Sequence, residues 1–251
     1  MSSISTKSDN LFQIFISDGQ SSLPPSLLSC QEDFIDQFSN YNYHFFNKLY
    51  LRQFIVEHFC KDVVAAYDTL LPYAYKADLG RYCLLYAFGG WYADITLKPV
   101  MTAKVPLLSS PEIIYFYDYG NGPYHSLYHC QNGFLYIKRG HRLMAECIEK
   151  ILINCREKYI GCTPLAPTGP GLLGEKLIHH LGEQVHHGFF MQLTPFHKYK
   201  NRAYVGPSGH LMALHKSTWN RNASEGSLEA FGTSGVNNYI AMWSRKEIYA
   251  V

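Results

Sequence analysis

Asp78 and Arg81 lie three residues apart, so a helix through them presents a carboxylate and a guanidinium on one face. Asp94 and Thr96 follow in a stretch where polar residues alternate with Ala93, Ile95 and Leu97, the pattern of a strand with one polar face. A carboxylate, a guanidinium and a hydroxyl brought together at the carboxyl end of a strand make a compact polar site, placed where open α/β sheets bind their ligands.

The elements that must position these groups are legible in the same stretch. Asp78, Leu79, Tyr82, Leu85 and Tyr86 recur at helical spacing as far as Gly89-Gly90, and paired glycines accommodate a helix end. From Trp91 the period becomes two. Trp91, Ala93, Ile95 and Leu97 face one way and Tyr92, Asp94, Thr96 and Lys98 the other, until Pro99 removes a ladder donor. Helix, glycine turn and strand over 77–100 form the unit around which the chain is organised.

The string from Asp78 to Thr96, DLGRYCLLYAFGGWYADIT, resembles the donor-sugar-binding region of the glycosyltransferases with a DXD motif. That group includes mannosyltransferases, enzymes of capsular polysaccharide synthesis and the large clostridial glucosylating toxins. In it an Asp-x-x-Arg-Tyr helix leads through Gly-Gly-x-Tyr into Asp-x-Asp. Here every one of those positions matches except the last, where Thr96 stands in place of the second Asp. The resemblance implies a GT-A-like, Rossmann-like α/β fold, a mixed sheet flanked by helices. It also implies transfer of a hexose from a nucleotide-diphosphate sugar to a saccharide or glycolipid acceptor, with retention.

On that resemblance Asp78, Arg81 and Asp94 are the catalytic residues, Asp78 and Arg81 holding the sugar hydroxyls, with Tyr82 and Thr96 also at the donor. Departure of a diphosphate demands charge stabilisation, which Mn or Mg supplies by bridging phosphate oxygens. The expected ligands are Asp94, Thr96 and His215. A neutral hydroxyl holds a hard cation more weakly than a carboxylate, so the ion is expected to bind poorly without donor and in strong mutual dependence with it.

The rest of the chain supplies the surroundings. Leu11–Ser17 reads as the first strand, ended by Asp18-Gly19, and its loop makes Ser17 and Asp18 either base or ribose contacts or plain turn residues. Helices are predicted over Pro25–Phe38 and Leu49–Phe59, with a strand through Tyr41, Tyr43 and Phe45 between them. Ile113–Tyr117 and Gln131–Ile137 read as strands separated by a long loop, and a helix runs from Arg142 to Cys155. Asn132 is either a contact to a transferred or accepting sugar or a residue bonded to its own backbone. Thr168 and Gly169, in a Thr-Gly-Pro sequence that the family also shows before a helix, are expected at the acceptor cleft. His210–His215 reads as a strand, and His215, Ser217 and Trp219 resemble the C-terminal elements that the family folds over the donor, the indole donating to a phosphate oxygen. Lys198, Lys200 and Arg202 could add positive charge near a pyrophosphate. His179, His180, His186 and His187 show no metal-binding spacing and are expected at the surface.

Composition bounds these readings. With only 17% charged residues and a net charge of +2, the chain lacks the electrostatic footprint of a nucleic-acid binder. Seven cysteines without a C-x-x-C pair suit reduced thiols and a cytoplasmic location rather than a disulfide framework. No apolar run approaches the roughly 20 residues of a membrane helix, which leaves peripheral membrane contact as the only membrane role, through a basic and apolar stretch at Asn238–Tyr249 that is otherwise a docking helix. The 251 residues are expected to form one glycosyltransferase domain, the donor-binding core over about 11–100 and acceptor and lid elements over about 101–251. The function expected is a hexosyltransferase of surface polysaccharide synthesis. Its alternatives are a sugar-nucleotide-binding pseudoenzyme, suggested by Thr96, and a toxin-like protein glycosyltransferase.

Overall fold

The computed structural model describes residues 9–19, 22–100, 111–118, 130–182, 184–193 and 201–250. Lys198, Lys200 and the loop 119–129 lie outside them. Among the described residues one sheet of nine strands runs in the order β2-β1-β3-β6-β5-β7-β8-β9-β4. Its first three strands are β1 (Asn10–Ile14), β2 (Asn42–Phe46) and β3 (Gly90–Ala93). Both β2 and β3 pair with β1 in parallel, on opposite sides of it. The chain therefore leaves β1 once in each direction, and the carboxyl ends of β1 and β3 frame a topological switch point, where open α/β sheets leave a crevice.

The two connections cover opposite faces of this sheet. α1 (Pro25–Gln37) lies on one face, where Phe34 and Phe38 pack with Leu11, Trp91 and Phe134. On the other lie α2 (Lys48–His58), α3 (Lys61–Thr69) and α4 (Tyr73–Phe88), whose apolar residues share a core with Phe12 and Ile14. α3 was not expected from the sequence, although its buried Val63, Ala66 and Tyr67 have helical spacing. α4 is buried almost all round, between the sheet, α2 and α5 (Arg142–Arg156). Gly80 admits the close contact with α2, since a Cβ there would lie 2.6 Å from a Leu51 methyl; packing, not ligand approach, accounts for this glycine. Gly89 and Gly90 then take φ of 67° and 113°, values that L side chains rarely adopt, and turn the chain into β3.

The strand predicted to continue to Lys98 stops at Ala93. Asp94–Leu97 form a tight turn, closed by the Leu97 amide donating to the Asp94 carbonyl at 3.0 Å, and β4 (Lys98–Pro99) pairs instead with β9 (Leu211–Leu214) at the far edge of the sheet. The alternation had no two faces to report: Trp91, Tyr92 and Ala93 are all buried. Thr96 thus sits in a turn and not on a strand face with Asp94.

The other strands are β5 (Ile113–Asp118), β6 (Cys130–Ile137), β7 (Val185–Gln192) and β8 (Arg202–Val205), and α6 (Pro170–Leu177) lies against β6 and α5. After β9 the chain returns over the carboxyl edge of β1. The Gly235 carbonyl accepts the Asp18 amide at 2.7 Å, and Asn237 Oδ1 accepts the Tyr73 amide at 2.9 Å. α8 (Tyr239–Ser244) packs Tyr239, Met242 and Trp243 onto the core as a docking helix.

Candidate active site

Four segments converge at the switch point. α4 brings Asp78 and Arg81, β3 ends at Asp94, an irregularity in β6 supplies Asn132 and Gly133, and the turn before α6 supplies Thr168 and Gly169. The irregularity matters. Between Tyr136 and Gln131, β6 has more residues than β5 has between their partners Ile114 and Phe116, so this part of β6 leaves the regular ladder.

Asp78 is the hub. Its Oδ1 accepts the Asn132 amide at 2.8 Å and lies 3.2 Å from Arg81 Nη2, and its Oδ2 accepts the Thr168 hydroxyl at 2.7 Å. Arg81 also donates to the Asn132 carbonyl at 2.5 Å, approaches Asp94 Oδ1 at 3.4 Å and lies 4.3 Å from the centre of the Tyr92 ring. Tyr92 donates to Asp94 Oδ1 at 2.9 Å. Tyr82 receives the Asn132 amide at 3.3 Å and donates to the Gly169 carbonyl at 3.4 Å. Burial pushes the Asp78 carboxyl above its ordinary range, while Arg81, Thr168 and Asn132 pull it back. Burial also holds the Tyr92 hydroxyl protonated, as its hydrogen bond to Asp94 requires.

The site thus has a dry floor and a wetter lip. Asp78, Arg81, Asn132 and Thr168 are buried, whereas the Asp94 side chain is 39% exposed. The Asp94 amide donates to the Gly133 carbonyl at 2.7 Å, and a Cβ on Gly133 would come within 2.5 Å of Asp94 Oδ2. Only glycine leaves the carboxylate that position.

Beside the floor, at the carboxyl ends of β1 and β2, lies a cavity of about 650 Å³ lined by Phe15, Ser17, Asp18, Asn47 and Lys48 among others. Phe15 belongs to the same apolar cluster as Ile95 of the Asp94–Leu97 turn, which links the cavity to the site. Asp18 pairs with Lys48 at 2.5 Å and accepts the Tyr73 hydroxyl, and Gly19 has the positive φ of a turn residue. His215 caps α7 (Lys216–Trp219): its Nδ1 accepts the Ser217 amide at 3.3 Å. The Trp219 indole donates to the Thr96 carbonyl at 3.1 Å and its ring packs on Phe231. The structure thus joins the segment 215–219 to the Asp94–Leu97 turn through a backbone carbonyl that sequence reasoning did not foresee. Arg202 lies 3.5 Å from Glu225.

Residues 24–109 match the family model of the glycosyltransferase sugar-binding region containing a DXD motif. This stretch runs from α1 past β4, so it contains Asp78, Arg81, Asp94 and Thr96 but not Asn132, Thr168 or His215. The PaToxG glycosyltransferase is similar in fold, with a TM-score of 0.53, 15% identity and coverage of 69% of each chain. No curated protein matches the sequence significantly. The mixed sheet flanked by helices is consistent with the GT-A-like architecture expected of a sugar-binding region of this kind.

The donor set can be weighed against the metal that such regions imply. Among the described residues no three His, Cys, Asp or Glu side chains are grouped to hold an ion. Asp94 Oδ1 is engaged by Tyr92 and Arg81, while Oδ2 accepts no hydrogen bond from a described residue. A single carboxylate oxygen suits an ion completed by phosphate oxygens, and not one caged by protein. No helix among the described residues is long and apolar enough to cross a membrane.

Proposed function

We propose that this chain is a glycosyltransferase that moves a hexosyl group from a nucleotide-diphosphate sugar to a hydroxyl of a saccharide or glycolipid acceptor. The observation that carries the reading is the hydrogen-bonded Asp78–Arg81–Asn132–Thr168 floor beneath a half-exposed Asp94, of which Asp78, Arg81 and Asp94 lie inside the matched sugar-binding region, near a cavity large enough for a nucleoside. The nucleoside enters the cavity beside Ser17 and Asp18, and the sugar lies over the floor. Asp78 and Arg81 orient its hydroxyls, with Asn132 and Thr168 holding those two side chains in place and Gly169 accepting from Tyr82 beside them. Asp94, Thr96 and His215 would hold Mn or Mg, which supplies neutralisation of the diphosphate as it leaves. Ser217 and Trp219 close the donor side, the indole exchanging the Thr96 carbonyl for ligand.

A sugar-nucleotide-binding module is the second reading, favoured by Thr96, whose hydroxyl lacks the charge of a carboxylate. Thermal-shift titration with UDP- and GDP-sugars, followed by assay of nucleotide release with and without mixed saccharides, separates the two. Binding with release supports the transferase, binding without release leaves the module, and absence of binding to all of them removes both.

A further inference from the structure

We propose that Asp118 is a second carboxylate of this site and takes the hydrogen bond of the attacking hydroxyl. The inference rests on the transferase reading and adds to it the group on the acceptor side.

The sheet places Asp118 there. β3 and β5 are both antiparallel to β6, so they run parallel to one another and end at the same edge. Trp91 and Ile114 both pair with Tyr136, and Asp94 lies three residues beyond Trp91 while Asp118 lies four beyond Ile114. The two carboxyl-bearing ends are nearly level, with one strand between them. The extra residues of β6 are taken up by its departure from the ladder, the feature that also carries Asn132 to Asp78.

A hydrogen-bonded run of side chains leads from Asp118 towards Asp94. The Gln131 amide donates to Asp118 Oδ2 at 2.6 Å, and Gln131 Oε1 accepts the Tyr204 hydroxyl at 3.4 Å. Tyr204 is buried, held edge-on against Phe116 and Phe134. Its hydroxyl is 3.3 Å from the point that a Cβ on Gly133 would occupy, and that point is 2.5 Å from Asp94 Oδ2. Tyr204 packs in the core, and its hydroxyl and the Gln131 amide also fix the orientation of Asp118 along the wall of the sugar site. They are what orientation of a reacting group requires.

In the step so assigned, the acceptor oxygen bonds to the anomeric carbon on the face from which the phosphate oxygen departs, as the expected retention requires, while that carbon's bond to the phosphate oxygen breaks. The bonding pair leaves on the diphosphate, and the hydroxyl proton passes to the Asp118 carboxylate. Water can stand in for the acceptor, which makes the test independent of acceptor identity.

The experiment measures release of UDP or GDP from UDP-glucose, UDP-N-acetylglucosamine and GDP-mannose by the full chain and by Asp118→Asn and Asp118→Ala, with calorimetric binding of UDP and GDP as control. Asp118→Asn should slow release about a hundredfold or more while nucleotide affinity stays within about twofold, and added formate should partly restore Asp118→Ala by supplying a carboxylate. Release by Asp118→Asn within about threefold of wild type, or an Asp118→Ala that formate leaves unchanged, overturns the assignment of Asp118 and leaves the transferase reading standing. Nucleotide binding by wild type without release from any sugar nucleotide overturns both.

Discussion

The floor and the lip of the candidate site use the same residue types under opposite conditions. Asp78 and Arg81 pair at 3.2 Å where both side chains are less than a tenth exposed; Asp18 and Lys48 pair at 2.5 Å where the side chains are 61% and 43% exposed. The shorter pair is the weaker one energetically, because water screens it and each partner is solvated when the other is removed. The buried pair owes its importance to desolvation, since removal of either partner strands a charge without water. Distance alone would have ranked them the wrong way round.

The sharpest break of this comparison is Arg81→Ala. It leaves Asp78 buried with only neutral partners, and a loss of about 3–5 kcal/mol is expected, together with loss of transfer. Denaturant unfolding followed by circular dichroism measures it. An unchanged midpoint would mean that water already reaches the floor. Because both residues are buried, alanine at either position disturbs the fold as well as the chemistry.

Asp94→Asn tests the lip. It keeps the shape and the Tyr92 hydrogen bond but removes the charge from a half-exposed position, so stability should fall by less than about 1 kcal/mol. Sugar transfer, by contrast, should fall about a hundredfold, as for removal of one electrostatic contact to the transition state. A stability loss equal to that of Arg81→Ala would merge lip and floor into one unit.

Thr96→Asp restores the carboxylate that the DXD pattern would have. Manganese should bind the donor-free protein about tenfold more tightly, as read by calorimetric titration. Because Thr96 is buried in its turn, some loss of stability should accompany the gain. Equal Mn affinity in both proteins would show that the turn aims this side chain away from the ion.

The smallest effect is expected at Asp18, and it carries a sign. Lys48 and Tyr73 lower the Asp18 pKa below 3.8, so its contribution to stability is present above that value and is lost as pH falls through the folded-state pKa. Asp18→Asn should therefore melt below wild type at neutral pH, by less than about 1 kcal/mol, and match it in acid. Asp78 has the opposite sign. Burial raises its pKa, so the stability it adds is complete below 3.8 and is lost as pH rises through the folded-state value. A wild-type advantage over Asp18→Asn that grew in acid would contradict the assignment of partners.

Much of this arrangement was legible because it is local. The helical period from Asp78 to Tyr86, the Gly89-Gly90 stop and the apolar runs of β1, β5 and β6 depend on residues near one another in the chain, where spacing and backbone sterics decide. Asn132, singled out in the sequence as a possible sugar contact, does reach the site, though its amide is spent on Asp78 and Tyr82.

What local pattern could not decide was where burial falls on both sides at once. β3 loses its alternation because helices and strands cover both faces, so the turn at Asp94–Leu97 was hidden inside an apparently continuous strand. Asp118 was invisible for a related reason. No spacing along the chain relates it to Asp94, and only the strand order, the shared partner Tyr136 and the departure of β6 from its ladder bring their ends level. The sequence by itself determined which segments could be helix or strand and which residue types the central unit carries. The tertiary structure decided which charges are desolvated and which acid-bearing strand ends lie level, because both depend on how segments distant in the chain pack together, and that is a property of the packed sheet and not of any stretch of chain.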